Sequence, residues 1–284
     1  MVSSTGTPPF WTAEHVKAAL PQRDANSHKG SYGTALLIAG TEEMPGAALL
    51  AGLGAMRSGV GKLVIATEAG AMAMIVPRLP EATYLRDGLR RIAEKENLLD
   101  LYRAAAIGPG TDPDALTEDA VRVLLESGLP VIADAGALSR RPYPEREAPV
   151  ILTPHPAEFS RITGVDVREL QENRAYHAAE WAGKLGVTIV LKGQNTITAF
   201  PDGDTWTNPT GNSALAKGGT GDTLTGMMLG MLCCHSDWKH AVLNAVHLHG
   251  VCADEWTRSR SPHTLLAHEL TDLLPEVWAK FETL

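Results

Sequence analysis

Short apolar runs alternate with helical patterns along most of this chain, and that alternation limits the fold more than any other feature. Thr34–Ala39 (TALLIA), Lys62–Thr67 (KLVIAT), Ala104–Ile107 (AAAI), Val131–Ala133 (VIA), Val150–Leu152 (VIL) and Thr188–Leu191 (TIVL) read as strands. Gly46–Ser58, Asp114–Ser127 and Arg168–Leu185 read as helices between them. A continuously apolar strand has to be covered on both faces, and strands joined through helices run parallel. The expectation is an α/β protein with three layers, its mostly parallel central sheet lying between helices.

The alternation breaks once. Thr196–Phe200 and Thr205–Thr207 flank Pro201-Asp202-Gly203-Asp204, a late β-hairpin with a glycine in its turn. Beyond it the C-terminal part is helical, over Asp222–Cys234, Asp237–Trp256 and His263–Phe281. No Pro/Ser-rich linker, repeat or low-complexity segment interrupts the 284 residues. One domain over 1–284 is therefore expected, although the length alone would admit nearly two.

With 33 acidic and 25 basic residues the chain carries a formal charge of −8, and 44% of it is apolar. This composition excludes disorder and argues against a nucleic-acid partner held by broad phosphate neutralisation. A small anionic ligand stays open, because local backbone dipoles bind phosphate on acidic proteins too. Cys233, Cys234 and Cys252 form neither a disulfide framework nor a zinc pattern and read as buried thiols of a reducing compartment. The polar stretch Met1–Pro9 lacks the features of a signal peptide, and the longest apolar run, Met227–Cys234, is too short to span a bilayer. A cytoplasmic protein without a membrane partner is expected.

Ligands of open parallel sheets bind beyond the carboxyl ends of the strands. Gly40, Gly108-Pro109-Gly110, Asp134, His155 and Lys192 stand at those ends. Each alone reads equally as a turn residue; five on one rim point to a cleft. The sharpest segment is Asn208–Gly226 (NPTGNSALAKGGTGDTLTG), where Gly218-Gly219-Thr220-Gly221-Asp222 precedes an apolar helix. Such glycines, Gly221 included, are free to take positive φ and aim N–H groups into one concavity, to which a helix N-terminus adds positive potential. That suits a phosphoryl group. The segment is neither a Walker A loop, since Lys217 precedes the glycines, nor a dinucleotide fingerprint. Asp222 has two readings, an N-cap of the helix or a base beside the anion site. His247 and His249, two apart on a helix, face different sides and make poor metal partners, so no protein-held metal is expected.

GGTGD before a helix, in an α/β chain with this element order, resembles the ribokinase-like superfamily. HKGSYGTALLIAG (His28–Gly40), MPGAALLAGLGAMRSGVGKL (Met44–Leu63), AIGPG (Ala106–Gly110), DAGAL (Asp134–Leu138), ILTPHPAEF (Ile151–Phe159), VLKGQNT (Val190–Thr196) and the Asn208–Gly226 segment are similar to one branch. That branch is the ADP-dependent NAD(P)H-hydrate dehydratase family in its stand-alone bacterial form, and the likeness runs from about residue 10 to residue 282. Fused forms carry an epimerase domain ahead; about thirty residues precede the first strand here, so epimerase activity is not expected on this chain.

The resemblance implies a ribokinase-like fold and repair of NADH or NADPH hydrated at C6, with ADP converted to AMP and phosphate. It implies Asp222 as the base and the N–H groups of Gly219, Thr220 and Gly221 as the phosphoryl site. Lys192, Gly193, Gln194, Asn195, Thr196 and Gly221 match nucleotide positions; Ala47, Gly110, His155 and Asp222 match hydrate positions. His155, held between two prolines, reads either as that ligand residue or as a surface turn. Asn208 and Asn212 are expected to line the site. Mg²⁺ bridging the phosphates is implied, as is a homo-oligomer, specifically a tetramer. ADP as donor rests on the resemblance alone. A small-alcohol kinase and a non-catalytic nucleotide sensor are the competing readings; TPHPAEF speaks against the first and the intact Asp222 against the second.

Overall fold

The computed structural model describes residues 7–95 and 99–283. The polar N-terminal stretch considered above lies outside them as far as residue 6. Among the described residues nine strands form one sheet: β1 (Thr34–Ile38), β2 (Lys62–Thr67), β3 (Thr83–Arg86), β4 (Ala104–Ile107), β5 (Val131–Ala133), β6 (Val150–Leu152), β7 (Thr188–Leu191), β8 (Ile197–Ala199) and β9 (Thr205–Thr207). Their spatial order is β3-β2-β1-β4-β5-β6-β7-β8-β9. Strands β1 to β7 pair in parallel, and β8 and β9 add the antiparallel hairpin.

Helix α1 (Ala13–Ala19) precedes the sheet, and α2 (Pro45–Arg57), α3 (Ala69–Ile75), α4 (Gly88–Ala93) and α5 (Ala115–Glu126) follow in its first half. Then come α6 (Pro156–Thr163), α7 (Val167–Glu172) and α8 (Arg174–Leu185), and after the hairpin α9 (Thr220–Cys234), α10 (Trp238–Thr257) and α11 (Ala267–Thr283). Neighbouring strand residues point to opposite faces, so Leu36 and Leu37, both fully buried, enter different cores. Leu37 joins Ile65, Met227 and Leu248, whereas Leu36 joins Leu124, Phe159 and Ala182. The strands read as continuous apolar runs for this reason.

Helix α9 reaches the rim because it lies unusually close to α2. A Cβ on Gly226 would stand 1.9 Å from the Ala51 carbonyl oxygen, and one on Gly54 would stand 2.5 Å from that of Thr223. Only glycines permit this backbone-to-backbone contact.

Besides helices α1, α3, α4 and α6, which the sequence reading did not include, three local features depart from it. Strand β3 was absent from it: β3 is a half-exposed edge strand (TYLR) without an apolar run. The expected helix over 168–185 is two helices, broken at Asn173 (φ −148°, ψ 64°), whose side chain caps α8 by accepting from Tyr176 N at 3.3 Å. Helix α9 begins at Thr220, two residues earlier than expected, with Gly219 as its N-cap at φ +90°. Asp222 is therefore the third residue of the helix and not its cap.

Candidate active site

Loops after β5, β6 and β7 meet the N-terminus of α9 at one end of the sheet. Beside them the loop after β7, the segment after β9 and the start of α9 bound a cleft of about 620 Å³ whose lining includes Lys192, Gly193, Thr196, Asn212, Thr220 and Gly221. Behind the lining residue Lys192, Asp134, 1% exposed, directly follows β5. One carboxylate oxygen receives Lys192 Nζ at 2.8 Å, and the other receives the Thr225 hydroxyl of α9 at 2.7 Å. Glu158 lies 3.9 Å from the same ammonium. Burial alone would raise the Asp134 carboxyl; Lys192 and the Thr153 and Thr225 hydroxyls more than offset this and hold it below its ordinary value. The lysine moves the other way: burial opposes its charge, but Asp134 and Glu158 keep it charged more firmly than usual.

The ammonium sits beside the first turn of α9, since a Cβ on Gly221 would stand 3.4 Å from Lys192 Nζ. Asp222 follows directly. Burial first, and then the Asp134 charge, push its carboxyl up to about 6, with Lys192 opposing. A base of that strength is ionised at neutral pH yet still has useful affinity for a proton.

The anion site has a different construction from the one expected. Gly219 takes φ +90°, and a Cβ there would meet Leu50 Cδ1 at 2.5 Å. Gly221 does not have positive φ; it is an ordinary helical residue whose missing side chain leaves room beside Lys192. The Thr220 N–H is directed at the Lys217 carbonyl at 3.5 Å, and its hydroxyl donates to Leu215 O and Lys217 O, both at 2.9 Å. The N–H groups of Gly219, Gly221 and Asp222 have no acceptor among the described residues outside the helix, and a first turn offers none inside it. These are the donors left for an anion. The Thr220 carbonyl accepts from His249 Nε2 at 2.9 Å, which fastens the turn to α10; burial depresses that imidazole to about 4 and keeps it neutral.

The loop from Lys192 to Thr196 forms the opposite wall. Its start is tied to the loop after β6 by Lys192 N donating to Pro154 O at 2.9 Å. Gly193 (φ +144°) and Asn195 (φ +52°) turn the chain. Gly193, Gln194 and Thr196 line the cleft, and Asn195 is exposed between them.

Gly110 and Ala47 are in contact: a Cβ on Gly110 (φ +64°) would stand 2.7 Å from Ala47 Cβ and 3.3 Å from Gly40 Cα. His155 is neither a bare turn residue nor uncommitted. It caps α6, its Nδ1 accepting from Ala157 N at 3.2 Å and Glu158 N at 3.3 Å. Its Nε2 lies 3.5 Å from Glu158, which links it to the Lys192 cluster. Asn208 and Asn212 do line the cleft, with their amides spent on the fold: Asn208 Nδ2 on Thr210 O at 3.0 Å, Asn212 Nδ2 on Asp254 at 2.8 Å. His247 and His249 serve separate partners, the first bonding Trp11 O at 3.0 Å. Among the described residues no group of three His, Cys, Asp or Glu side chains is placed to hold a metal ion. Sequence reasoning gave no site role to Thr225 and Glu158, although both stand inside motifs it quoted, weighed His249 only as a metal partner, and passed over Arg174 within a helical pattern.

A carboxylate in the first turn of a glycine-capped helix, at the carboxyl rim of a mostly parallel sheet, defines a ribokinase-like α/β protein. A ribokinase-like superfamily protein from Enterococcus faecalis V583 superposes with a TM-score of 0.85 at 25% identity, covering 96% of each chain. The family model for NAD(P)H-hydrate dehydratase matches residues 35–276. The ADP-dependent (S)-NAD(P)H-hydrate dehydratase of Bacillus subtilis (strain 168) is 66% identical over 274 residues, 96% of this chain and 99% of its own. A crystal structure of ADP/ATP-dependent NAD(P)H-hydrate dehydratase from Bacillus subtilis, co-crystallised with ATP and Mg²⁺, has a TM-score of 0.96 at 65% identity and covers 98% of this chain and 100% of its own. The chain belongs to the NAD(P)H-hydrate dehydratase family.

Proposed function

We propose that this protein dehydrates the S epimer of hydrated NADH and NADPH at the expense of ADP, yielding NADH or NADPH, AMP and phosphate. The observation that carries the mechanism is the Asp222 carboxylate, held near pKa 6, next to unpaired N–H groups at the start of α9. Hydroxide leaves poorly from C6 at neutral pH. Asp222 takes the proton of the C6 hydroxyl as its oxygen attacks the terminal phosphorus of ADP, and AMP departs. The Gly221 and Asp222 N–H groups face the charge on the transferring phosphoryl. Electrons from the ring nitrogen then break the C6–O bond, phosphate leaves, and loss of the C5 proton restores the dihydronicotinamide.

Lys192 to Thr196 and Gly221 are assigned to the nucleotide, and Ala47, Gly110, His155 and Asp222 to the hydrate. Gly219 adds its own unpaired N–H at the phosphoryl site as well as its φ, and Thr220 fastens the preceding loop. The site suits Mg²⁺ carried on the nucleotide phosphates: Glu158 would supply a carboxylate oxygen beside Lys192, and a complete protein cage is lacking among the described residues. Bound there, Mg²⁺ supplies neutralisation of phosphate charge. We assign the protein to the cytoplasm, consistent with the absence, among the described residues, of a helix long and apolar enough to cross a membrane. One catalytic domain is inferred from the continuity of the sheet from β3 to β9, and a homotetramer from the family likeness.

Incubating the protein with hydrated NADH, Mg²⁺ and ADP or ATP, while following dihydronicotinamide absorbance, tests the proposal. Restored absorbance with one AMP per turnover is expected with ADP. Turnover with ATP alone overturns the donor assignment, and a phosphorylated hydrate that accumulates without absorbance makes the protein a kinase.

A further inference from the structure

We propose that Arg174 is a positioning residue that holds the Lys192–Thr196 loop with its N–H edge open to the nucleotide. Arg174 is the first residue of α8, directly after the break at Asn173. Its guanidinium donates to the carbonyls of Leu191 at 3.0 Å, Lys192 at 3.1 Å and Gln194. The intervening Gly193 carbonyl accepts from the Thr196 hydroxyl at 2.9 Å. Four successive carbonyls are thus engaged, while the N–H groups of Gly193, Gln194 and Asn195 have no acceptor among the described residues. The loop sorts its backbone: acceptors toward the arginine, donors left for oxygen atoms of a ligand in the cleft.

Glycine at 193 is part of the device, because a Cβ there would stand 2.8 Å from a guanidinium nitrogen. The planar fork of arginine serves several carbonyls at once from one rigid group, which an ammonium cannot do. Arg146 offers a built-in comparison. It donates to the carbonyls of Leu124, Leu125, Ser127 and Leu129, where α5 returns to the start of β5, at the end of the sheet away from the cleft. Both arginines collect carbonyls; only Arg174 does so beneath the cleft wall.

The inference rests on the assignment of this loop to the nucleotide. Calorimetric titration with ADP alone, without hydrate, tests it on wild type, Arg174→Met, Arg174→Lys and Arg146→Met, beside thermal unfolding of each. Arg174→Met is expected to bind ADP about tenfold or more weakly, the scale for losing a preorganised charged hydrogen-bond set. Arg174→Lys should recover part of this, and Arg146→Met should lose stability at unchanged ADP affinity. In turnover, KM for ADP should rise more than kcat falls. If Arg174→Met does not fold, Arg174→Lys decides, through weakened ADP binding together with faster amide exchange at 193–196. Wild-type ADP affinity in a folded Arg174 variant overturns the proposal, as does an equal affinity loss in Arg146→Met. Failure of the wild type to bind ADP overturns the nucleotide assignment instead.

Discussion

Two lysines in this protein each sit between two carboxylates, and they do opposite things. Lys239, at the start of α10, contacts Asp202 and, at 2.7 Å, Asp204 on the turn of the β8–β9 hairpin, whose side chains are 56% and 61% exposed. Lys192 lies between Asp134 and Glu158, which are 2% and 12% exposed. Water screens the first cluster, so its ion pairs add little. The second has been taken out of water, where each charge depends on its neighbours and is felt by a third group, Asp222. Equal-looking charge triads therefore differ by burial alone: one decorates a turn and the other sets the strength of a base.

Removing the central cation should separate the two most sharply. Lys192→Met leaves Asp134 buried without its counter-charge, which costs about 3–5 kcal/mol for a broken buried pair. A fall in melting temperature of roughly 10 °C is expected. Because Lys192 also opposes the upward shift of Asp222, the acid limb of any remaining activity should move above pH 6. A variant as stable as wild type, with an unmoved limb, would erase the distinction between the clusters.

Asp222→Asn tests the group the buried cluster acts on. Turnover should fall about a hundredfold or more, the scale for a lost general base, while ADP still binds. Its effect on stability has the opposite sign. The carboxyl titrates at about 6 when folded against 3.8 ordinarily, so the folded form disfavours its charge and stability is lost as pH rises from about 4 through 6. Asparagine escapes that loss: melting of the ligand-free variant should rise by a few degrees at pH 7.5 and be unchanged near pH 4. Near-normal turnover would place the base elsewhere.

Lys239→Met should do least. A stability change under about 1 kcal/mol and wild-type turnover are expected in denaturant titration and the absorbance assay. A larger loss would mean that the hairpin turn needs its charges.

The sequence made one side of this comparison visible and hid the other. Strand-end residues such as Gly40, Asp134 and Lys192, and the glycines before α9, were legible because apolar runs and glycine punctuation are local signals. That Asp134 and Lys192 pair was not legible, since 58 residues separate them and only the order of β5, β6 and β7 brings them together. The same holds for Thr225, whose hydroxyl reads as one more helical position until α9 is laid against β5. Strand β3 escaped because an exposed edge needs no apolar run. The break at Asn173 escaped because Asn is also an ordinary helix-surface residue, and Arg174 went unnoticed with it. The role of Asp222 turned on a two-residue difference in where α9 starts, finer than residue pattern defines.

The pH dependence of kcat/KM, measured with hydrate and ADP both below saturation so that it reports the free enzyme, tests most directly whether the buried cluster sets the base. The rate should halve near pH 6 and fall tenfold per pH unit below it, tracking protonation of Asp222. A rate that stays level down to pH 4.5 in protein that remains folded would contradict the account, because it would mean a base with an ordinary carboxylate pKa that the Asp134–Lys192 pair does not control.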